Sequence, residues 1–503
     1  MASGRKRIGI IGAGLGGLAA GLRLANRGHR VVIFEKTDQV GGRNRHEWVG
    51  DCQFDGGPTL LMMREPFKKL FADVGERMDD HIESELCDPS YRVFYRDGSK
   101  LDATTNMALM LERLEALVGP EDAAAYPEFL GQLGALYHDS IPHFVRTNYT
   151  RPLKEIVHPA QLGRVLKHGM LGNLAKRVGK TFKDPRTRML FSFQTMYLGL
   201  SPYDAPWVYA TLTYMEYGEG IWYPKGGLPV ITDTVARLAQ ERGAEIRLNT
   251  SVKKIDGKSV LLADGSSETF DLIIANADMP YVQRELEQDP ARRDLRYSCS
   301  AYCLYLDYAG QIPELLHHNV FFGRDFKGNL DALFHTGQTP EDPAFYACIS
   351  ARSEPSRAAR GHENLFLLIP CPNLETEWTP ERETSMKNQV YKRLSESTSF
   401  DPSRIRQTKQ RSPIDWRDEL NLVHGATFGI SADLFQSAFF RPKNRSQNNP
   451  NLYYVGASTV PGNGLPMVLI SAELAERRLL EDGQIPDTFW MPAFDDTPVE
   501  RPS

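Results

Sequence analysis

The chain has 503 residues, of which 41% are hydrophobic, 24% charged and 10% aromatic. That is an ordinary globular composition; it excludes collagen-like, mucin-like and wholly disordered readings, and the length predicts two to four domains. Lys plus Arg number 59 and Asp plus Glu 64, a net charge of -5 that argues against a protein organised around nucleic acid.

The cysteines are Cys52, Cys87, Cys299, Cys303, Cys348 and Cys371, with no C-x-x-C pair among them. They read as reduced thiols and predict a reducing, cytoplasmic compartment and no metal site. No apolar run reaches the about 18 residues of a transmembrane helix. Arg5-Lys6-Arg7 before an apolar stretch resembles a signal peptide. Gly9, Gly12, Gly14, Gly16 and Gly17 interrupt that stretch and a second strand follows, so strand–turn–helix is the better reading.

In chain order, Arg7–Ile11 reads as a buried strand, Gly12–Gly17 as a turn, Leu18–Asn26 as a helix ended by Gly28, and Arg30–Phe34 as a second strand. This βαβ start predicts a parallel sheet. Asn106–Leu136 reads as a surface-exposed helix, 164–188 as partly helical and basic, and 190–223 as rich in aromatics. A helix is predicted from Ile231 to Arg242, then a strand at Glu245–Leu248 and a hairpin of Val252–Ile255 with Ser259–Leu262 around Asp256-Gly257. Further strands fall at Asp271–Ala275, Ser298–Tyr308, Leu365–Ile369 and Leu452–Val455, and a last helix at Pro466–Leu480. The Pro-rich tail 483–503 reads as disordered. The layout predicts an α/β fold. One discontinuous Rossmann-like cofactor-binding domain is built from 1–105, 224–290 and 415–482. Residues 106–223 and 291–414 form an inserted substrate-binding, membrane-facing domain.

Gly12-x-Gly14-x-x-Gly17 lies between a strand and a helix. Its glycines allow a tight turn, close approach of a pyrophosphate, and packing of helix on strand. The helix N-terminus presents free N–H groups and a partial positive charge to the phosphates. Glu35 ends the second strand, where a carboxylate accepts hydrogen bonds from ribose hydroxyls and disfavours a 2′-phosphate. Gly41-Gly42-Arg43 follows and suits a second clamp on a longer dinucleotide, with Arg43 pairing pyrophosphate oxygens. No second G-x-G-x-x-G follows a strand, so no separate nicotinamide domain is visible.

Together these motifs resemble the FAD-binding start of the amine-oxidase-like flavoproteins, and more specifically of the bacterial and fungal phytoene (carotenoid) desaturases. Phe54-Asp55-Gly56-Gly57-Pro58-Thr59 resembles that family's segment along the flavin. Gly220-Ile221-Trp222-Tyr223-Pro224-Lys225-Gly226-Gly227 is similar to its mid-chain signature, and Asn276-Ala277-Asp278 to the end of its third sheet strand. Gln436–Pro442 and Asn451–Ala457 are similar to its C-terminal block, so the resemblance runs in order from about residue 7 to 482. Ser458 stands where the family usually has glycine, and with Met467 it is expected to narrow the space by the flavin ring.

The resemblance implies FAD as cofactor. It implies desaturation of a long polyisoprenoid, phytoene or a close relative, by hydride transfer to flavin N5 with loss of a proton from the next carbon. Gly57, Val252, Gly456, Gly464, Pro466 and Met467 join Gly12, Gly14, Gly17, Glu35, Gly42 and Arg43 as expected cofactor residues. The helix starting near Pro466 is expected to aim its N-terminus at the flavin. Asp204 and Glu216 are candidate proton acceptors. Tyr197, Trp207, Tyr214, Trp222 and Tyr223 are candidates for an apolar substrate channel.

Leu166, Met170, Leu174 and Val178 recur every four residues in the basic stretch, a pattern suited to peripheral binding at an anionic membrane surface. Oxygen and a membrane quinone both stand as final electron acceptors. Alternatives on the same fold are a carotenoid isomerase or saturase, another amine-oxidase-like oxidase, and a prenyl-lipid carrier without flavin.

Overall fold

The structure is a computed structural model that describes residues 4–150, 158–289 and 294–486. The apolar runs at Arg7–Ile11, Arg30–Phe34 and Leu272–Ala275 form the centre of a five-stranded sheet. Its order is Leu452–Tyr454, Leu272–Ala275, Arg7–Ile11, Arg30–Phe34, Glu245–Arg247, and every pairing is parallel. These strands read as continuous apolar runs because both faces are covered. On one face lie helices Leu15–Asn26, Pro229–Glu241 and Leu465–Glu481, packed through Leu18, Leu22, Val235 and Leu469 onto Ile8, Ile10 and Ile274. On the other lies a three-stranded antiparallel unit, Val252–Asp256, Ser259–Leu262 and Ser267–Thr269, whose Val252, Ile255 and Val260 meet Phe34 and Ile273.

A second, seven-stranded sheet has the order Ile405–Arg411, Ser300–Ala309, His362–Cys371, Phe345–Ile349, His318–Phe321, Tyr91–Phe94, Lys100–Ala103. It is antiparallel except where His318–Phe321 runs parallel to Tyr91–Phe94. Helix Pro380–Ser397 covers one face through Met386, Val390 and Leu394. Helical segments within 107–145 and 159–217 pack around a core that includes Tyr126, Phe129, Phe191 and Trp207.

The structure departs from the sequence reading in several places. The fingerprint helix begins at Leu15 and not Leu18, because Gly16 and Gly17 lie inside its first turn. Residues 107–140 form two helices, Met107–Val118 and Pro120–Ser140, divided at Gly119, and Met110, Leu114, Phe129 and Leu133 bury one side of each. Strands Tyr91–Phe94 and Lys100–Ala103 pair into the second sheet. Ile485 is buried against the first core; the rest of the proposed tail, 487–503, lies outside the described residues.

The basic stretch is not one amphipathic helix. Gly169, in the left-handed conformation, ends helix Pro159–His168, and helices Leu174–Thr181 and Pro185–Leu190 follow on new axes. Met170, Leu174 and Val178 then turn inward to the protein's own core, and only Leu166 of that row faces out. All six cysteines are free and buried. No helix among the described residues is long and apolar enough to cross a membrane.

Candidate functional site

A cleft opens at the carboxyl ends of the parallel strands, where ligands of such sheets bind. Gly12, Gly14, Glu35, Gly42, Arg43, Val252 and Gly456 line it, together with Asn276 and Asp278. Gly17 lies beneath it: a Cβ there would stand 2.2 Å from the Gly12 carbonyl oxygen, so this helix can rest on this turn only with glycine. Gly12 itself has φ +99°, open to glycine and strained for other residues. The first-turn N–H groups of the helix at Leu15 have no partner within the helix and face the cleft.

Glu35 Oε2 accepts from the Ala13 N–H at 2.8 Å, and Oε1 accepts from the Thr37 N–H at 3.0 Å. These bonds fix the carboxylate at the cleft wall. The Arg43 guanidinium donates to the Thr427 carbonyl at 2.7 Å. Burial holds its pKa below the usual arginine value, partly offset by Asp278. An anion beside it would remove that cost. Glycine turns, orphan N–H groups, a carboxylate fixed at the cleft wall and an under-compensated arginine together fit a dinucleotide such as FAD.

Ser458 does not narrow either cavity. Its hydroxyl donates to Asp278 Oδ1, and the Val423 N–H reaches Asp278 Oδ2 at 3.3 Å. Ser458 therefore ties the loop 456–464 to the strand end at Asp278. Arg441, missed as a functional residue in the sequence, fixes the same loop from the far side. It is buried and donates to the carbonyls of Ala457 at 2.6 Å and Thr459 at 2.9 Å.

A second cavity of ≈ 420 Å³ meets the cleft, with Leu465 lining both. Gly57, Pro58 and Thr59 line its wall, as do Gly464, Pro466 and Met467 at the start of helix Leu465–Glu481. The first N–H groups of that helix, at Leu465 and Met467, therefore sit at the junction. Elsewhere the wall is apolar and aromatic: Phe144, Phe193, Phe322, Phe326, Phe345 and Phe428 are among its residues. Among the described residues no Asp, Glu, Lys or His lines it, and its one charged side chain is Arg441.

Of the five predicted channel residues only Tyr197 lines this cavity. Trp207 is a core residue under the Arg177 guanidinium, 4.3 Å from the ring centre. Tyr214 packs on Tyr137, and Trp222 lies under Arg64. Tyr223 is buried and donates its hydroxyl hydrogen to Glu354 at 2.7 Å. Trp207, Tyr214 and Tyr223 belong to the core beside the cavity, and Trp222 packs on the core of the parallel sheet.

Asp204 is no part of the site. Its carboxylate is 44% exposed and pairs with His335 on the surface. Glu216 is buried one layer behind the cavity wall, in a π-helical turn over Met215–Glu219. It accepts hydrogen bonds from Tyr197 at 2.6 Å, Gln194 at 2.9 Å and Tyr91 at 3.0 Å. Burial pushes its carboxyl up to about 7, and the three donors limit the rise.

A second polar group backs the wall at Tyr346, whose hydroxyl lies 2.8 Å from Thr59 Oγ1 and 2.6 Å from His318 Nδ1. Cys87, His317 and His318 bring three ligand-type atoms within 4.8 Å of one another. The two imidazole rings lie 4.1 Å apart, tilted by 38°. Burial keeps both neutral, His318 being pushed down to about 3. His317 Nδ1 lies 2.7 Å from Ser353 Oγ, and its buried Nε2 has no hydrogen-bond partner among the described residues.

Residues 15–480 match the model of the flavin containing amine oxidoreductase family. The chain is 39% identical to a zeta-carotene-forming phytoene desaturase of Myxococcus xanthus, over 94% of each chain. It is 32% identical to a 4,4'-diapophytoene desaturase of Staphylococcus haemolyticus, over 94% of this chain and 99% of that one. Among solved structures, a CLA-producing fatty acid isomerase from P. acnes superposes with a TM-score of 0.61 at 14% identity, covering 95% of this chain and 99% of that one.

Proposed function

The chain belongs to the flavin containing amine oxidoreductase family, and from that premise we propose that it is an FAD-dependent desaturase of a long polyisoprenoid hydrocarbon, phytoene or a close carotenoid precursor. The observation that carries the reading is an apolar cavity, almost free of charge, that joins the dinucleotide cleft. An amine substrate would be expected to meet a carboxylate or an aromatic cage without a guanidinium. This wall has neither acid nor histidine among the described residues, and its only charge is the cation of Arg441. The relatives named for phytoene and diapophytoene support the same substrate class.

When bound, FAD would supply a two-electron acceptor for a hydride from an allylic carbon. The residues of this chain do the rest. The backbone of 12–17, with Glu35 and Arg43, holds the dinucleotide, and Gly57–Thr59 and Gly464–Met467 form the junction where substrate meets it. The N–H groups of Leu465 and Met467 put the positive end of a helix dipole at that junction. Phenylalanine walls exclude water and orient the chain.

Each buried CH₂ is worth about 0.8 kcal/mol, so a hydrocarbon of tens of carbons passes from bilayer to protein without a free aqueous state. The surface near the cavity supports a peripheral membrane contact for that transfer. Leu162, Leu166 and Leu171 are 51%, 72% and 62% exposed. The helix carrying Leu162 and Leu166 is tied by Arg164 and His168 to Asp139, next to the cavity-lining segment Ser140–Val145. Exposed Phe435 packs on exposed Phe440, Phe440 on Phe439, and Phe439 on the cavity residue Tyr149. Lys167, Lys176 and Lys180 lie exposed along the same stretch, as anionic headgroups require. A membrane quinone or oxygen is the final electron acceptor in this reading.

The triple change Leu162→Ser, Leu166→Ser, Leu171→Ser should weaken binding to anionic vesicles at least about a hundred-fold, at roughly 1 kcal/mol or more per leucine. Vesicle flotation measures it, with flavin absorbance as the control for folding. Flotation equal to wild type would remove this face from the membrane contact.

A further inference from the structure

Resting on the desaturase reading above, we propose that Tyr197 takes the substrate proton at its phenolic oxygen and passes its own hydroxyl proton to Glu216, which makes the pair the acid–base unit of the reaction. Desaturation removes a hydride from one carbon and a proton from its neighbour. The hydride, with both electrons, goes to the bound flavin, the oxidant. The neighbouring C–H bond then breaks, its electron pair becomes the new C=C π bond, and the proton needs an oxygen or nitrogen base at the cavity wall.

The wall offers few. No carboxylate or imidazole lines it among the described residues, and Arg441 donates only. Four phenols do line it. Tyr149 donates to the Phe144 carbonyl at 2.7 Å, and Tyr209 to the Ala432 carbonyl at 2.9 Å. A peptide carbonyl does not hold a proton at neutral pH, and the Ser437 hydroxyl, 2.6 Å from Tyr209, is no better a base, so these contacts give the proton no resting place. Tyr346 faces His318, an imidazole that burial keeps from protonating. Tyr197 donates to a carboxylate, Glu216 Oε1, at 2.6 Å.

The surroundings of Glu216 suit the task. Tyr91 from the second sheet and Gln194 hold its other oxygen, and Thr213 donates to the Gln194 carbonyl at 3.2 Å, which fixes the amide. The titratable groups around it are phenols: Tyr91, Tyr197 and Tyr217, with Tyr95 and Tyr126 beyond Tyr217. No cation is among them to hold the carboxylate in its charged form. A carboxyl that titrates near neutrality is ionised often enough to accept a proton and strong enough to keep it. After product leaves, the proton returns through Tyr197 to water entering the cavity.

The test is single-turnover reduction of the holoenzyme by phytoene in liposomes without oxygen, followed by loss of the flavin band from about pH 5.5 to 8.5. In the wild type the ionised fraction of Glu216 grows with pH, so the rate should rise through one ionisation near neutrality. Glu216→Gln keeps the size and the bond to Tyr197, and should slow reduction at least about a hundred-fold and abolish the pH dependence. Tyr197→Phe should do the same, while Glu216→Asp restores part of the rate with a pH profile. Flavin content and melting temperature check that each variant is folded.

A wild-type rate and profile in Glu216→Gln would overturn the assignment and leave the desaturase reading standing. So would a slower rate with the pH profile kept, which is the mark of a structural role, or a loss confined to Tyr346→Phe. If the wild type holds FAD and phytoene never reduces it, the substrate reading has failed and not this one.

Discussion

Arg357→Gln is expected to cost about 3–5 kcal/mol of stability at neutral pH, more than any other single change considered. Arg357 is wholly buried and Asp55, its partner at 2.9 Å, is 2% exposed. The same guanidinium reaches the Tyr223 hydroxyl at 3.2 Å. It thus joins three segments: the strand Cys52–Asp55 that leads into Gly56-Gly57, the mid-chain signature at Tyr223, and the turn Pro355–Arg357. Burial already pushes the Asp55 carboxyl up, and Arg357 pulls it back. Without Arg357 the carboxylate would be charged, buried and unpaired.

The pH dependence follows in sign. In the variant the folded pKa of Asp55 rises further above its unfolded value. Stability is then full below the unfolded pKa, and is lost as pH rises through the folded one. The penalty should therefore be larger at pH 7 than near pH 4, and adding Asp55→Asn should recover part of it. Denaturant melts of the four proteins at two pH values measure this. A neutral-pH penalty under about 1 kcal/mol would mean that water or another cation replaces Arg357.

Gly17→Ala should leave the purified protein without flavin, with FAD affinity reduced at least a hundred-fold, or about 2.7 kcal/mol. The added Cβ would stand 2.2 Å from the Gly12 oxygen and 3.1 Å from Asn276 Cβ, both parts of the cleft floor. Either the turn 12–14 or the helix must shift, and both carry the phosphate-facing N–H groups. Gly131→Ala, on a helix where nothing stands within 4 Å of the new carbon, is the matched control and should keep its flavin. FAD retained by Gly17→Ala at wild-type level would show that the turn has more freedom than its geometry allows.

The cofactor half of the molecule was legible in the sequence for a physical reason. Phosphates are bound by backbone N–H groups, and the chain advertises such backbone by glycine at fixed spacing. One strand, one turn, one helix and Glu35 all lie within a few dozen residues. The substrate half was not legible in the same way. Its wall is assembled from residues near 57–62, 140–149, 193–215, 320–346 and 428–467, and each apolar side chain in it reads like any other core residue. Trp207, Tyr214, Trp222 and Tyr223 illustrate this: their density pointed to the right region, but burial elsewhere took four of the five predicted aromatics. The row Leu166, Met170, Leu174, Val178 failed because Gly169 breaks the helix on which its spacing depended. Glu216 was visible as an acid among aromatics, whereas its link to the cavity through Tyr197 exists only in three dimensions.

The central claim is that a polyisoprenoid in the apolar cavity reduces the flavin in the adjoining cleft. Its most direct measurement is the absorption spectrum of the purified holoenzyme, mixed without oxygen with phytoene in liposomes. The account predicts that the flavin band bleaches in step with the appearance of a longer conjugated polyene. A flavin band that persists, with no polyene formed, would contradict it.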